Sequence, residues 1–158
     1  MTLVVSDTSP VRYLVLVGAI DGLPKLYDAV VIPPAVRTEL LHPAAPEQVR
    51  AWISASPRWL SVKAPAKIQT DLNLGFGELE AIALAAELHA AALLLDDRHA
   101  REVATAKGLR VAGTVGVLER MAAAGLIELR VILEQLRRTN FRGDEQLFKD
   151  ALARLENK

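Results

Sequence analysis

Short runs of apolar residues alternate along the chain with longer segments in which apolar residues recur at helical spacing. The short runs are rich in valine, leucine and isoleucine and have few polar positions. Such runs are typical of strands that are buried on both faces of a parallel sheet. The runs that we predict as strands are residues 3–6, 29–32, 59–62, 91–95 and 109–112.

The longer segments carry the start and stop signals of helices, with proline near several starts and glycine near several ends. Ser9 is the predicted N-cap of the first helix and Gly18 its predicted stop, and Thr114 is the predicted cap of a later helix. The segments predicted as helices are residues 10–17, 21–27, 35–41, 47–54, 78–89, 98–107, 115–124, 128–139 and 144–157. Strands that alternate with such helices indicate an α/β fold, arranged as three layers (α/β/α) around a central, mostly parallel sheet.

Length and composition narrow the class of protein. The chain has 158 residues, 51% of them hydrophobic, which predicts a single domain over residues 1–158 with a substantial core. It contains no apolar run of about 18 residues, the length of a membrane span, and its start lacks the basic region of a signal peptide. The absence of cysteine excludes disulfides, thiolate zinc sites and cysteine nucleophiles. We therefore expect a cytoplasmic protein.

Charge is balanced over the whole chain but not along it. The formal net charge is zero, which argues against nonspecific binding of nucleic acid by the whole surface. Residues 1–97 carry 7 basic and 11 acidic side chains, whereas residues 98–158 carry 12 basic and 8 acidic ones. A basic C-terminal half beside an acidic site suits a polyanion that one part binds and another part cuts. Ordinary solvated helix faces are the other interpretation.

Acidic residues collect at the predicted ends of strands and starts of helices, where open α/β sheets bind their ligands. They are Asp7, Glu39, Glu78, Glu80, Asp96 and Asp97. Carboxylates gathered without histidine or cysteine suit a hard cation such as Mg²⁺ or Mn²⁺. Two such ions about 4 Å apart activate water and stabilise both the attacking and the leaving oxygen of a phosphodiester. A divalent-cation site at these strand ends is therefore the working hypothesis.

Each acid also has a structural interpretation. Asp7 is suited to a local turn or cap at the helix that follows it, and Glu39 to a solvated helix surface. Glu78 and Glu80 are two residues apart on one predicted helix, so they cannot point the same way. One of them therefore faces the site while the other serves the helix, and the pattern leaves open which.

Five short motifs follow one another in an order that is known from one protein family. The motifs are residues 5–10 (Val-Ser-Asp-Thr-Ser-Pro), 32–40, 77–85, 95–101 and 111–118. In this order they resemble PIN-domain proteins, and most closely the short prokaryotic PIN-like proteins formerly catalogued as a domain of unknown function. The resemblance covers about residues 3–126, the expected catalytic core. The closing helices, about residues 128–158, resemble the same branch.

The resemblance implies a ribonuclease that depends on Mg²⁺ or Mn²⁺, often the toxin of a toxin–antitoxin pair, as in VapC-type proteins. The residues that it assigns to metal binding and catalysis are Asp7, Glu39, Glu80 and Asp97. The residues that it assigns to a supporting role are Thr8, Ser9, Glu78, Asp96 and Thr114. A hydroxyl of Thr8 or Ser9 would steady Asp7, and Glu78 or Asp96 could each replace its acidic neighbour as a ligand.

The same resemblance implies partners. The substrate would be RNA, a cognate antitoxin would bind the protein, and the protein would form a homodimer with no membrane association. Arg98 and Arg101 are candidates for contact with substrate phosphate, although surface ion pairs are the more common role of such residues. PIN-like folds also occur as inactive protein-interaction modules, which is the alternative to a nuclease.

Other classes that use similar residues fit less well. A haloacid-dehalogenase-like phosphatase needs a second aspartate two residues after the first, and that position is Ser9. A receiver domain needs a lysine at a later strand end, and a dinucleotide-binding fold needs its glycine fingerprint, neither of which is present. The histidines at 42, 89 and 99 have no helical partner four residues away, which argues against zinc.

Overall fold

The apolar runs form one five-stranded sheet in which every strand is parallel to its neighbours. This computed structural model describes residues 2–157, so the two ends of the expected 1–158 domain lie outside the described residues. The strands are β1 (Leu3–Ser6), β2 (Ala29–Ile32), β3 (Leu60–Val62), β4 (Ala92–Leu94) and β5 (Val111–Ala112). The predicted strands are thus present, with the last three shorter than predicted.

The strand order is β3-β2-β1-β4-β5, which places β1 at the centre of the sheet. The chain first builds outward from β1 through β2 to β3, and then crosses to the other side of β1 for β4 and β5. The order therefore reverses between β1 and β4. In open α/β sheets, the crevice outside the carboxyl ends of the strands at such a reversal is the usual place for a ligand.

Helices cover both faces of the sheet, as the three-layer prediction requires. Their bounds are α1 (Thr8–Leu16), α2 (Leu23–Leu26), α3 (Pro34–Leu41), α4 (Glu47–Ser54), α5 (Phe76–Glu87), α6 (Arg98–Ala106), α7 (Thr114–Ala123), α8 (Leu129–Arg137) and α9 (Glu145–Glu156). Short 3₁₀ turns lie at Ile20–Gly22 and Thr70–Leu72.

Two apolar cores lie on opposite faces of the sheet because side chains alternate along each strand. In β1, Val4 faces the core that is built with α1 to α4 and α7 to α9, while Val5 faces the core that is built with α5 and α6. Both valines are fully buried. Burial on both faces explains why the strands read as continuous apolar runs rather than as alternating patterns.

Two predicted N-caps are wrong, and both concern the site. Helix α1 begins at Thr8, and its N-cap position is Asp7 rather than Ser9. The Asp7 side chain makes no capping hydrogen bond there. Thr114 is the first residue of α7 rather than its cap, and its side chain is bonded to Asp96. Gly18 does follow the end of α1 and has the positive φ of +73° that favours glycine.

Among residues 2–157, no helix combines the length and the apolar character that a membrane crossing requires.

Candidate active site

A cleft of about 880 Å³ opens at the carboxyl ends of β1 and β4, where the strand order reverses. Four of the six acids singled out in the sequence line it: Asp7, Glu78, Asp96 and Asp97. Ser9, Thr114, Arg98 and Arg101 line it as well. Parallel neighbouring strands thus bring together residues that are far apart in the chain.

Asp7 is the most unusual of the acids because it is buried without a full set of partners. Only 6% of the residue is exposed, and its Oδ1 atom is buried with no hydrogen-bond partner. The pKa of Asp7 is raised from 3.8 to about 7, and burial is the largest cause of the rise. The hydrogen bond from the Thr8 amide opposes the rise, and the negative charges of Glu78, Glu39 and Asp96 add to it. Ionisation of a carboxylate that is buried in this way costs free energy, and a nearby cation would reduce that cost.

Glu39 lies on α3, next to the lining of the cleft, and is oriented by the chain that follows Asp7. The hydroxyl of Thr8 donates a hydrogen bond to Oε2 of Glu39, so it steadies the second acid rather than Asp7. Gly77 gives this carboxylate room, because a Cβ atom at Gly77 would lie 2.6 Å from Oε2 of Glu39. The charge of Glu39 contributes to the raised pKa values of both Asp7 and Glu78.

Glu78 and Glu80 point in different directions from α5. Glu78 lines the cleft, and one of its oxygens accepts a hydrogen bond of 3.2 Å from the Gly75 amide. Partial burial is the largest cause of its raised pKa, and the charges of Asp97 and Glu39 add to it. Glu80 instead accepts a hydrogen bond of 3.0 Å from the Ala35 amide in the first turn of α3. That turn has unpaired N–H groups, so the Glu80 carboxylate stabilises the start of the helix that carries Glu39.

Asp96 follows β4 and is fixed by two hydrogen bonds from Thr114. The Thr114 amide donates to Oδ1 at 2.7 Å, and its hydroxyl donates to Oδ2 at 2.6 Å. Gly113 allows this close approach, since a Cβ atom there would lie 3.0 Å from Oδ1 of Asp96 and 2.6 Å from Nη1 of Arg101. Thr114 therefore fixes the orientation of the Asp96 carboxylate through both of its oxygens.

Asp97 occupies the N-cap position of α6, where its Oδ2 atom accepts a hydrogen bond of 2.9 Å from the Ala100 amide. The residue is exposed on the cleft side, and its charge contributes to the raised pKa of Glu78. The Arg98 side chain is 95% exposed and lies 3.6 Å from Glu102. Arg101 donates a hydrogen bond of 3.3 Å to the Leu95 carbonyl inside the cleft.

Four of the acids line one cleft, but they do not form a finished ligand set. Among residues 2–157, no three aspartate, glutamate or histidine side chains meet closely enough to bind a metal ion together in this conformation. The hydrogen bonds explain this spread, because Glu39, Glu78, Asp96 and Asp97 are each bonded to a different neighbour. The unpaired Oδ1 atom of Asp7 is the exception. An all-oxygen donor set that includes such an unpaired atom suits a hard divalent cation.

The other wall of the cleft was not identified from the sequence. It comes from α1, α7 and the segment between α8 and α9, and includes Tyr13, Arg120, Asn140, Phe141 and Arg142. The excess of basic residues after position 97 is the only signal in the sequence that points to it. Gly77 and Gly113 were missed as well, because their importance lies in contacts across the fold.

Comparisons with known proteins agree with the fold. The family model DUF3368, described as a PIN domain, matches residues 3–157. No curated protein matches the chain by sequence. Among solved structures, a PilT N-terminus domain protein from the hyperthermophilic archaeon Sulfolobus solfataricus is similar in fold, with a TM-score of 0.52 and 17% sequence identity over 90% of this chain and 100% of that one. The chain therefore belongs to the PIN-domain family, whose members are typically nucleases.

Proposed function

We propose that this protein is a divalent-metal-dependent ribonuclease. The observation that carries the proposal is the buried, unpaired Oδ1 atom of Asp7 among the acids of the cleft. A fold would gain stability by replacing this carboxylate with a neutral residue, since burial disfavours its charged form. Binding of a cation by the Asp7 carboxylate would explain why the protein keeps this destabilising residue.

The ligands that we propose are Asp7, Glu39, Glu78 and Asp96, with Asp97 as an additional acid. This set differs from the one that the resemblance implies, which has Glu80 and Asp97 as its third and fourth members. Glu78 is preferred because it lines the cleft, whereas the Glu80 carboxylate is bonded to the start of α3. Asp96 is preferred because Thr114 fixes it in the cleft, whereas the Asp97 carboxylate caps the start of α6.

Each neighbouring residue has a role in presenting these acids. Thr8 orients Glu39, and Thr114 orients Asp96 through two hydrogen bonds. Glu80 stabilises the first turn of α3 and so positions Glu39 indirectly. Residues that orient ligands in this way commonly change metal affinity or activity by about 10- to 100-fold when they are mutated.

A Mg²⁺ or Mn²⁺ ion, when bound, would activate water for attack on a phosphodiester and stabilise the charge that develops on its oxygens. Asp7 supplies buried negative charge for that purpose, and loses its proton at a pH near 7. Glu39 is exposed and Glu78 is half-buried, so both side chains have the freedom to turn toward Asp7. Their oxygens, together with those of Asp7, are the donors that such a cation prefers.

The toxin role, the cognate antitoxin, the homodimer and the cytoplasmic location belong to the same proposal. Membership of the PIN-domain family, in which nucleases often pair with antitoxins, supports the toxin role and the antitoxin. The alternative is an inactive protein-interaction module. The retained acids at Asp7, Glu39, Glu78 and Asp96 favour the nuclease, because an inactive module has no need of a buried, unpaired carboxylate.

The test combines metal binding with catalysis. We expect Mn²⁺ to bind the wild-type protein in calorimetry and to promote cleavage of single-stranded RNA. Asp7→Asn keeps the shape of the side chain, removes its charge and should abolish both. A wild-type protein that binds no Mn²⁺ at millimolar concentration, with RNA present, would rule out the enzyme and leave the interaction module.

A further inference from the structure

The cleft has a second wall whose chemistry differs from that of the acids. Five arginines line the cleft: Arg98, Arg101, Arg120, Arg142 and Arg154. Three of them are already engaged, since Arg154 binds Glu119 with bonds of 2.6 and 3.0 Å, Arg98 lies near Glu102, and Arg101 donates to the Leu95 carbonyl. Within residues 2–157, Arg120 and Arg142 form neither an ion pair nor a side-chain hydrogen bond.

Arg142 lies on a segment between α8 and α9 that is fixed against α1. The Tyr13 hydroxyl donates a hydrogen bond of 2.8 Å to Oδ1 of Asn140. The ring of Phe141 packs edge-on against Tyr13, with 5.1 Å between the ring centroids, and against Phe148, with 6.3 Å. A Cβ atom at Gly143 would lie 2.6 Å from the Phe141 ring, so the segment can pack this closely only with glycine there. Arg142 is therefore presented by an anchored segment.

Tyr13 connects this segment to the acids. It lies on α1, the helix that begins directly after Asp7. Burial raises the pKa of Tyr13, the charge of Asp96 raises it as well, and the charge of Arg142 lowers it. The Tyr13 phenol is thus within electrostatic range of an acid of the site and of the unpaired arginine. The cleft therefore presents negative charge and unpaired positive charge to the same ligand.

We propose that Arg142 and Arg120 form a phosphate-binding subsite that holds the nucleic-acid backbone against the carboxylates. This inference rests on the proposed nuclease function and adds a role for the C-terminal helices. A phosphodiester backbone suits both walls, because its repeating charges need cationic partners along the strand while the scissile phosphate lies at the acids. Tyr13 is a positioning residue that keeps the segment with Arg142 in place.

The test measures binding without cleavage. Fluorescence anisotropy with a labelled single-stranded oligouridylate in EDTA compares the wild-type protein with Arg142→Gln, Arg120→Gln and Arg138→Gln. Arg138 is the matched control, because it lies in the same stretch and is exposed but does not line the cleft. We expect Arg142→Gln to weaken binding about 5- to 10-fold at low salt and to reduce the salt slope by about one, as for the loss of one phosphate contact. Arg138→Gln should change binding less than about 2-fold.

Two further variants separate charge from position. Arg142→Lys keeps a point charge for phosphate and should recover part of the affinity. Tyr13→Phe keeps the ring but removes the hydrogen bond to Asn140, and should weaken binding about 2- to 3-fold with the fold unchanged by circular dichroism.

Equal losses for Arg142→Gln and Arg138→Gln would overturn the subsite, because bulk charge would then explain binding. Equal displacement of the oligonucleotide by poly-glutamate would overturn it as well, since the site would then recognise any acidic polymer. The assay contains no metal and requires no cleavage. A protein that binds RNA through Arg142 but cuts nothing with Mn²⁺ would therefore refute the nuclease and not the subsite.

Discussion

The two edges of the sheet each carry an aspartate, and the two residues differ in burial, hydrogen bonding and pKa. At the amino edge, Asp28 precedes β2, is exposed, and accepts hydrogen bonds from the amide and the hydroxyl of Thr2 at 2.7 and 3.1 Å. These bonds lower the pKa of Asp28. At the carboxyl edge, Asp7 follows β1, is buried with an unpaired oxygen, and has a pKa raised to about 7. Both residues adjoin neighbouring parallel strands, yet only one is satisfied by the protein itself.

This difference shows that the fold loses stability at the carboxyl edge of the sheet. At the amino edge, the hydrogen bonds from Thr2 satisfy the Asp28 carboxylate. The carboxyl edge collects acids from β1, α3, α5 and β4 in one place, and their mutual repulsion adds to the cost of burial. Perturbed carboxylates of this kind are typical of functional sites. The predictions below test whether the cost at the carboxyl edge is linked to function.

The largest effect is expected on α5, where neighbouring acids have different roles. Glu78→Gln should reduce Mn²⁺-dependent RNA cleavage by at least about 100-fold, because it removes a proposed ligand. Glu80→Gln can still accept the hydrogen bond from the Ala35 amide and should reduce cleavage by less than about 10-fold. Initial rates of cleavage at saturating Mn²⁺ measure both. A greater loss for Glu80→Gln would restore Glu80 as the third ligand.

The next prediction uses stability to compare the two edges. Asp7→Asn should raise the free energy of unfolding at pH 8 by on the order of 2 kcal/mol, because it removes a buried charge that is costly to maintain. Asp28→Asn removes the acceptor charge at the satisfied edge and should lower stability or leave it unchanged. Urea denaturation without metal measures both. If Asp7→Asn instead lowers the free energy of unfolding, the Asp7 charge stabilises the folded protein, and the prediction is wrong.

The third prediction is the dependence of stability on pH. The folded-state pKa of Asp7 lies above its unfolded value, so the folded state binds more protons than the unfolded state between about pH 4 and pH 7. The contribution of Asp7 to stability is therefore fully present below about pH 4 and is lost as the pH rises to about 7. The difference in unfolding free energy between Asp7→Asn and wild type should grow by at most about 1.4 kcal/mol per pH unit in that window. A difference that is constant with pH would contradict the raised pKa.

The smallest effect concerns the room that glycine leaves for Glu39. In Gly77→Ala, the new Cβ atom would lie 2.6 Å from the Glu39 carboxylate, which must turn away from Thr8. We expect Mn²⁺ affinity to fall several-fold and stability to change by less than about 1 kcal/mol, since only the end of a flexible side chain moves. Gly116→Ala is the control, because a Cβ atom there meets nothing within 4 Å. Equal Mn²⁺ affinity in the two variants, measured by calorimetry, would show that Gly77 has no role in metal binding.

The elements of the fold and the acids at their ends could be predicted from the sequence. Runs such as residues 29–32 are apolar at every position because β2 is buried on both faces of the sheet, and this burial leaves a direct trace in the sequence. Asp7, Asp96 and Asp97 follow such runs, so their position at the carboxyl edge comes from strand direction alone. The motif order also indicated the PIN-domain family, which the family match confirms.

The tertiary structure decided which acids face the cleft and what they contact. Glu78 and Glu80 are equivalent by local pattern, and only the packing of α5 against α3 turns Glu80 toward the Ala35 amide. The pairing of Asp96 with Thr114, and of Tyr13 with Asn140, joins residues that are distant in the chain. The sequence by itself determined secondary structure and strand ends, because those depend on periodic burial. Hydrogen-bond partners, pKa values and the arginines that line the cleft depend on how separate elements pack together. No local pattern in the sequence encodes that packing.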